Sequence, residues 1–284
     1  MKQTKTTIVN EVVVADYLKK NESKLKSYGN KGFDVADFLR SAMILIVGDT
    51  KLRKALTTEK GKESLYNALK HAASVGLSLN PQKAHACLIP YEIDGTMIID
   101  YQIMKAGYVQ LALDSGKVEW VRSFLVHEND KFELSETMNG DDYLFKPATK
   151  DRGKIIGALA SLKTIEGTGF LKYMTVKEIN EIRDTYSAMY KKKPDKSPWK
   201  KSYPGMARKT VIKALFREIS ISTSMKKAIE TDDYFEFDTT ERNVTPGFSS
   251  QDVKKTLTKP PAKTPEKPQK KEEPKKAPSG KDLF

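Results

Sequence analysis

Between Lys191 and Lys213 nine lysines and arginines accompany a single acid, Asp195, and Trp199 and Tyr203 lie among them. Cationic groups hold phosphates and flat rings stack on bases, so this mixture suits a nucleic-acid strand. The second half of the stretch has helical periodicity. At about 100° per residue, Ala207, Val211, Ala214 and Leu215 fall on one stripe. Lys209, Lys213 and Arg217 fall on nearly the opposite side, so the helix is expected to bury one face and offer a row of cations on the other. A row of lysines is by itself an ordinary solvated face. The six lysines of the preceding loop and its two large aromatics exceed what solubility needs. Arg208, Lys209 and Lys213 are therefore the expected phosphate contacts, with Lys200 and Lys201 along the same groove. Lys146, Lys150, Arg152 and Lys154 form a candidate second wall. Trp199 or Tyr203 offers a ring to a base, although a loop–helix junction equally suits a packing anchor. If these cations hold two strands for pairing, reversing the charge of both Lys209 and Lys213 is expected to abolish annealing in a protein that still folds.

Other chemistry finds little support. There is no G-x-x-x-x-G-K-[ST], which argues against a P-loop ATPase. His71, His85 and His127 lack the spacing of zinc ligands. The single cysteine, Cys87, sits in the apolar run HACLIPY and reads as a small core residue. One cysteine allows no intrachain disulfide. With no apolar h-region near the N-terminus, a reducing cytoplasm is expected. Asp141-Asp142 and Asp232-Asp233 are the pairs weighed for two-metal phosphodiester cleavage, and solvated loops explain them better. No Ser or Cys stands in a nucleophile elbow. The residues point to binding without catalysis, cofactor or metal. A metal-dependent nuclease is the enzyme alternative, and a general RNA- or single-strand-binding assembly protein the other.

The whole chain agrees. Its 284 residues carry 50 Lys and Arg against 37 Asp and Glu, a net charge of +13, which favours a polyanion partner. No run approaches the roughly 18 apolar residues of a spanning helix, so no membrane partner is expected. Helices are expected at residues 10–28, from the N-cap Asp34 onward, and at 62–75 before Gly76. Strands are expected at 84–92 and 96–103 around Asp94-Gly95. A short helix at 105–115 follows. Strands 117–127 and 131–135 should pair around Glu128-Asn129-Asp130, Tyr143 to Phe145 is expected to form a short strand, and 154–162 should pair with 169–174. Thr175 and Glu178 form a capping box for the next helix. The fold class is α+β: a twisted, mostly antiparallel sheet of β-hairpins between N-terminal and C-terminal helices. Residues 246–284 hold seven of the 13 prolines and ten lysines against five acids, a disordered basic tail. Its Asp282-Leu283-Phe284 tip is an accidental end or a docking peptide. Expected boundaries are an N-terminal helical segment 1–32, a binding and oligomerisation core 33–230, and a linker and tail 231–284.

Two segments then carry a family resemblance. Gly76-Leu77-Ser78-Leu79-Asn80-Pro81 followed by His85-Ala86-Cys87-Leu88-Ile89-Pro90-Tyr91 resembles the "GL-x-x-NP…AYLIPY" signature of the RecT family of phage and prophage recombinases. Trp199, Tyr203 and the run Met206-Ala207-Arg208-Lys209-Thr210-Val211-Ile212-Lys213 are similar to its "W-x-x-x-[YF]-x-x-MA-x-KT-x-[IL][KR]" block. Tyr173-Met174-Thr175 leading to Ile179 and Arg183 also fits. Met104-Lys105-Ala106-Gly107 departs from the G-Y-[KQ]-G of many members, with Lys105 shifted by one. The resemblance implies an annealing-protein-like core and ATP-independent pairing of complementary single-stranded DNA in phage recombination. It also implies rings or helical filaments of a homo-oligomer, an annealed duplex intermediate and a partner exonuclease. The host single-stranded DNA-binding protein would meet the tail in the bacterial cytoplasm.

Overall fold

The computed structural model describes residues 9–238 except Lys31, Asn139 and Ser220. The chain divides into two units, 1–241 and 242–284. The second unit, with the basic tail and the Asp282-Leu283-Phe284 tip, lies outside the described residues.

Four helices open the first unit: α1 (Glu11–Tyr28), α2 (Val35–Gly48), α3 (Thr50–Ala55) and α4 (Glu59–Val75). Their ends follow from short polar side chains. Asn10, Asp34, Asp49 and Thr58 each accept a backbone N–H of the first turn. Gly76 closes α4 in the left-handed conformation at φ 79°. Val14, Leu18 and Leu25 of α1 are buried, and α1 packs on α2 and α4, so this helix joins the same core.

α4 lies on a two-stranded ribbon of β1 (Ala86–Ile93) and β2 (Thr96–Ile103). Asp94 and Gly95, at φ 48° and 75°, make the two-residue turn that the sequence predicts. Ile99 N donates to Ser64 Oγ at 2.9 Å and ties the ribbon to α4. The ribbon runs into α5 (Lys105–Asp114).

The remaining strands are β3 (Val118–His127), β4 (Lys131–Thr137), β5 (Gly140–Lys146), β6 (Ile155–Thr164) and β7 (Gly169–Thr175). Their order in the sheet is β3-β6-β7-β5-β4. This corrects the expected β3–β4 hairpin: β3 pairs with β6, and β4 pairs with β5. Asp130 explains the divergence. Its carboxylate accepts from His127 N and Ala148 N at 2.9 Å each and from Arg152 Nε at 2.9 Å. The 128–130 turn is thereby bound to the 148–154 segment, and β4 leads away from β3 to β5.

The β4–β5 hairpin meets β7 through one parallel bridge, Gly140 to Gly169. A Cβ on Gly169 would stand 2.4 Å from Asp141 O, and one on Gly140 would stand 2.3 Å from Gly169 O. Only glycines allow this crossing. The sheet curls here. Phe124 of β3 reaches Tyr143 and Phe145 of β5, with ring centroids 6.0 and 5.1 Å apart, although β6 and β7 separate the two strands in the ladder. Gly169→Ala is expected to force the hairpin outward and cost about 1–3 kcal/mol, the usual range for overpacking. Urea unfolding of the variant measures it.

Helix returns as α6 (Val176–Tyr186), α7 (Ala188–Lys192), a 3-10 turn at Pro194–Lys196, α8 (Pro198–Lys201), α9 (Tyr203–Glu218) and α10 (Thr223–Asp238). Both halves of the Thr175–Glu178 capping box are formed. α9 buries Val211, Ile212, Leu215 and Phe216 and packs on β6, β7 and β3. α10 continues past residue 230 and rests on β2, α4, α5 and α9. The molecule is thus α+β, with mostly antiparallel sheets between helical layers and, among the described residues, no closed barrel.

Candidate nucleic-acid interface

The cation row expected on α9 does not face solvent. Lys213 is 5% exposed, and its Nζ lies 2.9 Å from Asp232 Oδ2. Lys209 Nζ approaches the same oxygen at 3.3 Å. Asp232, on α10, is 1% exposed and also accepts from Tyr108 Oη at 2.9 Å and Ile103 N at 3.3 Å. Burial pushes the Asp232 carboxyl up, but Lys209, Lys213 and the Tyr108 hydroxyl together hold it below the usual carboxylate range. The expectation for Lys209 and Lys213 is therefore corrected: their long stems are buried and their ammonium groups are engaged inside the subunit. The reason is α10, a helix the sequence reading did not assign, which covers that face. Arg217, a turn further on, is exposed. The reading of Asp232 as part of a solvated loop fails for the same reason. Asp141 and Asp142 are likewise on β5 rather than in a loop, and Asp141 Oδ2 accepts from Leu171 N at 3.2 Å. Cys87 faces the same interior, and burial pushes its thiol up to about 11, so it is not primed as a nucleophile.

The two aromatics of the basic stretch sit inward. Trp199 is 6% exposed and tilts against Tyr203 at 6.0 Å between ring centroids, the packing-anchor alternative. Tyr203 is half-buried and its hydroxyl is enclosed without a hydrogen-bond partner. Around them Lys191, Lys192, Lys193, Lys196, Lys200 and Lys201 are exposed. Ser197 is the N-cap of α8, accepting from Trp199 N, and its Pro198 suits the first helical turn. These short helices turn what reads as a loop into a structured basic surface.

A groove of about 700 Å³ opens beside β3 and the β4–β5 hairpin. Three arginines line it, Arg122, Arg152 and Arg208, together with the rings of Trp120, Phe124, Tyr143 and Phe145. Asp142 is the acid among its lining residues. Strand alternation places Trp120, Arg122 and Phe124 on one face of β3. The Arg122 guanidinium lies over the Trp120 ring at 4.7 Å from its centroid. Tyr143 is fixed by the Ser161–Tyr143 hydroxyl contact at 3.3 Å. Arg152 is held by Asp130 and donates to Leu125 O at 3.1 Å, and Asp130 is kept far below the carboxylate range chiefly by its hydrogen bond from Arg152. Arg208 projects from α9 with its Nε enclosed and without a partner. Neither Arg122 nor Arg208 has an ion pair with a carboxylate among the described residues.

The structure thus brings Arg152 and Arg208 of the expected residues into one groove. Lys146, Lys150 and Lys154 are exposed on the segment that carries Pro147 and Arg152 along the groove's margin. Trp120, Arg122 and Phe124 were missed. Their signal is a strand with a ring, a cation and a ring at alternate positions, which places all three on one side. Among the described residues no group of His, Cys, Asp or Glu is arranged to hold a metal ion, and no helix is long and apolar enough to cross a membrane.

The sequence profile of the RecT family matches residues 36–246, most of the chain. The chain belongs to the RecT family. Protein RecT of Escherichia coli (strain K12) is 24% identical to it over 174 residues, 60% of this chain and 62% of that protein. The uncharacterised protein YqaK of Bacillus subtilis (strain 168) is 27% identical over 165 residues, 57% of this chain and 53% of that protein. The chain spans less than two thirds of the length of either relative. The RecT-family match contains both the groove, from Trp120 to Arg208, and the buried cluster centred on Asp232.

Proposed function

We propose that this RecT-family protein binds single-stranded DNA and anneals complementary strands in homologous recombination, without ATP. The observation that carries the reading is the groove of three arginines and four aromatic rings, bordered by exposed lysines. Two strands repel each other through their phosphates. Cations along the groove neutralise that charge and release counterions. Base pairing supplies the specificity, so the protein need not read base edges. One protomer covers few nucleotides, and aligned grooves in a ring or helical filament would hold a continuous strand and its annealed duplex. Arg122, Arg152 and Arg208 are the proposed phosphate contacts within the groove. Lys146, Lys150, Lys154, Lys200 and Lys201 extend the basic surface. Lys209 and Lys213 support α9 from inside. An exonuclease that makes single-stranded tails and the host single-stranded DNA-binding protein are the proposed partners, the latter through the basic tail, in the bacterial cytoplasm.

Mixing two labelled complementary oligonucleotides with the protein, in the absence of nucleotide, tests the reading. Duplex should form faster than in protein-free solution, with strand lengths unchanged when Mg²⁺ is added. Absence of acceleration sinks the annealing reading, and shortened strands favour the nuclease. Faster pairing of RNA than of DNA favours the general RNA-binding alternative.

A further inference from the structure

We propose that Trp120 is the platform on which an unpaired base of the bound strand stacks, one base held in the groove of each protomer. This rests on the single-strand reading above and specifies its contact. Of the two tryptophans in the chain, Trp199 is enclosed in the core, whereas Trp120 is half-buried and lines the groove. Its ring face carries the Arg122 guanidinium, 4.7 Å from the centroid. That contact marks the face as able to receive a flat, electron-poor group, and it is exchangeable. Arg122 is exposed on a flexible stem and carries no ion pair among the described residues. A base arriving on the indole displaces Arg122, whose guanidinium then meets the adjoining phosphate. Phe124 is less available, because Phe145 and Tyr143 already contact it.

The rest of the groove fits a nucleotide on that platform. Arg208 presents an enclosed Nε that lacks an acceptor, and a phosphate oxygen would supply one. Stacking uses the π-face of a base and is tolerant of sequence. It leaves the pairing edge free, so a parked base can still be tested by an incoming complement. The ligand class is therefore any base of single-stranded DNA.

The two tryptophans supply the measurement. Emission of the full chain is titrated with oligothymidylate and with an abasic oligonucleotide of the same length and charge. The same titrations are made with Trp120→Phe, which retains a ring but removes the reporter. Oligothymidylate should quench emission of the native protein, the quench should vanish in Trp120→Phe, and the abasic strand should give none. Trp120→Ala should weaken oligothymidylate binding by roughly 5- to 150-fold, the fold-change of losing about 1–3 kcal/mol of stacking. Its salt slope should stay unchanged, since no phosphate contact is lost. Equal quenching by both strands, a quench that survives Trp120→Phe, or full affinity in Trp120→Ala overturns the proposal. If Trp120→Ala does not fold, the native and Trp120→Phe titrations decide alone. Acceleration of annealing without a Trp120 quench removes the stacking platform and leaves the annealing reading standing. No annealing by the native protein removes that reading instead.

Discussion

Lys213→Glu is expected to destabilise the fold strongly rather than to silence a binding surface. The substitution removes one of the two ammonium partners of Asp232 and sets a second carboxylate beside it, in a site where both residues are almost fully enclosed. Breaking a buried ion pair from one side costs about 3–5 kcal/mol, because the remaining charge cannot return to water. Native domains have about 5–15 kcal/mol of stability in all, so the loss is a large fraction of it. Urea unfolding followed by circular dichroism measures the effect. A Lys213→Glu protein with an unshifted midpoint would show that the cluster does not support the fold. Lys213→Met combined with Asp232→Leu should recover part of the loss, since apolar replacement of a whole buried pair is often neutral. Lys209 still faces that site, so recovery should be incomplete.

The same cluster sets an acid sensitivity. The Asp232 carboxyl is depressed in the folded protein. Its contribution is therefore fully present above the unfolded value of about 3.9 and is lost as pH falls below it. Asp130, depressed by Arg152, acts in the same direction. Stability should fall as pH drops below about 4, and Asp232→Asn should flatten part of that decline.

Arg122→Gln combined with Arg208→Gln is expected to remove most single-strand binding while the fold survives. Neither arginine is tied to a carboxylate among the described residues, so neutralising them strands no buried partner. A hydrogen bond to a charged group contributes about 1.5–3 kcal/mol. Two such contacts correspond to roughly two to four decades in affinity. The salt dependence is the sharper readout. Each phosphate contact on a single strand contributes a slope of about −0.7, so the double variant should lose about 1.4 from its slope. A folded double variant that binds and anneals as the native protein does would show that the strand runs elsewhere on the basic surface. Charge reversal at Lys209 and Lys213, the test that the sequence pattern suggests, could not make this distinction: both side chains lie inside.

Much of the local structure was legible in the residues. Asn10, Asp34, Thr175 with Glu178, and Gly76 mark helix ends through their own hydrogen bonds and φ preferences. Asp94-Gly95 specifies a two-residue hairpin turn for the same reason. Such signals act over a few residues, and so they survive reading in one dimension. The family was legible as well, since the Gly76–Tyr91 and Trp199–Lys213 runs carry its pattern. The α+β class followed from the alternation of helical and strand periodicities.

Burial of the cations was not legible, because helical periodicity states which residues share a side of α9 but not what lies against that side. Lys209 and Lys213 keep the expected spacing, yet α10 brings Asp232 to them from about twenty residues further along the chain. The groove depends on longer separations still. Arg208 of α9, Arg152 beside Asp130 and the Trp120-Arg122-Phe124 face of β3 meet only after the sheet curls at the Gly140–Gly169 crossing. Residue types and local spacing therefore determined the elements, the basic character and the family. Which positive charges reach solvent, and which aromatic rings share a groove with them, was decided by how distant elements pack.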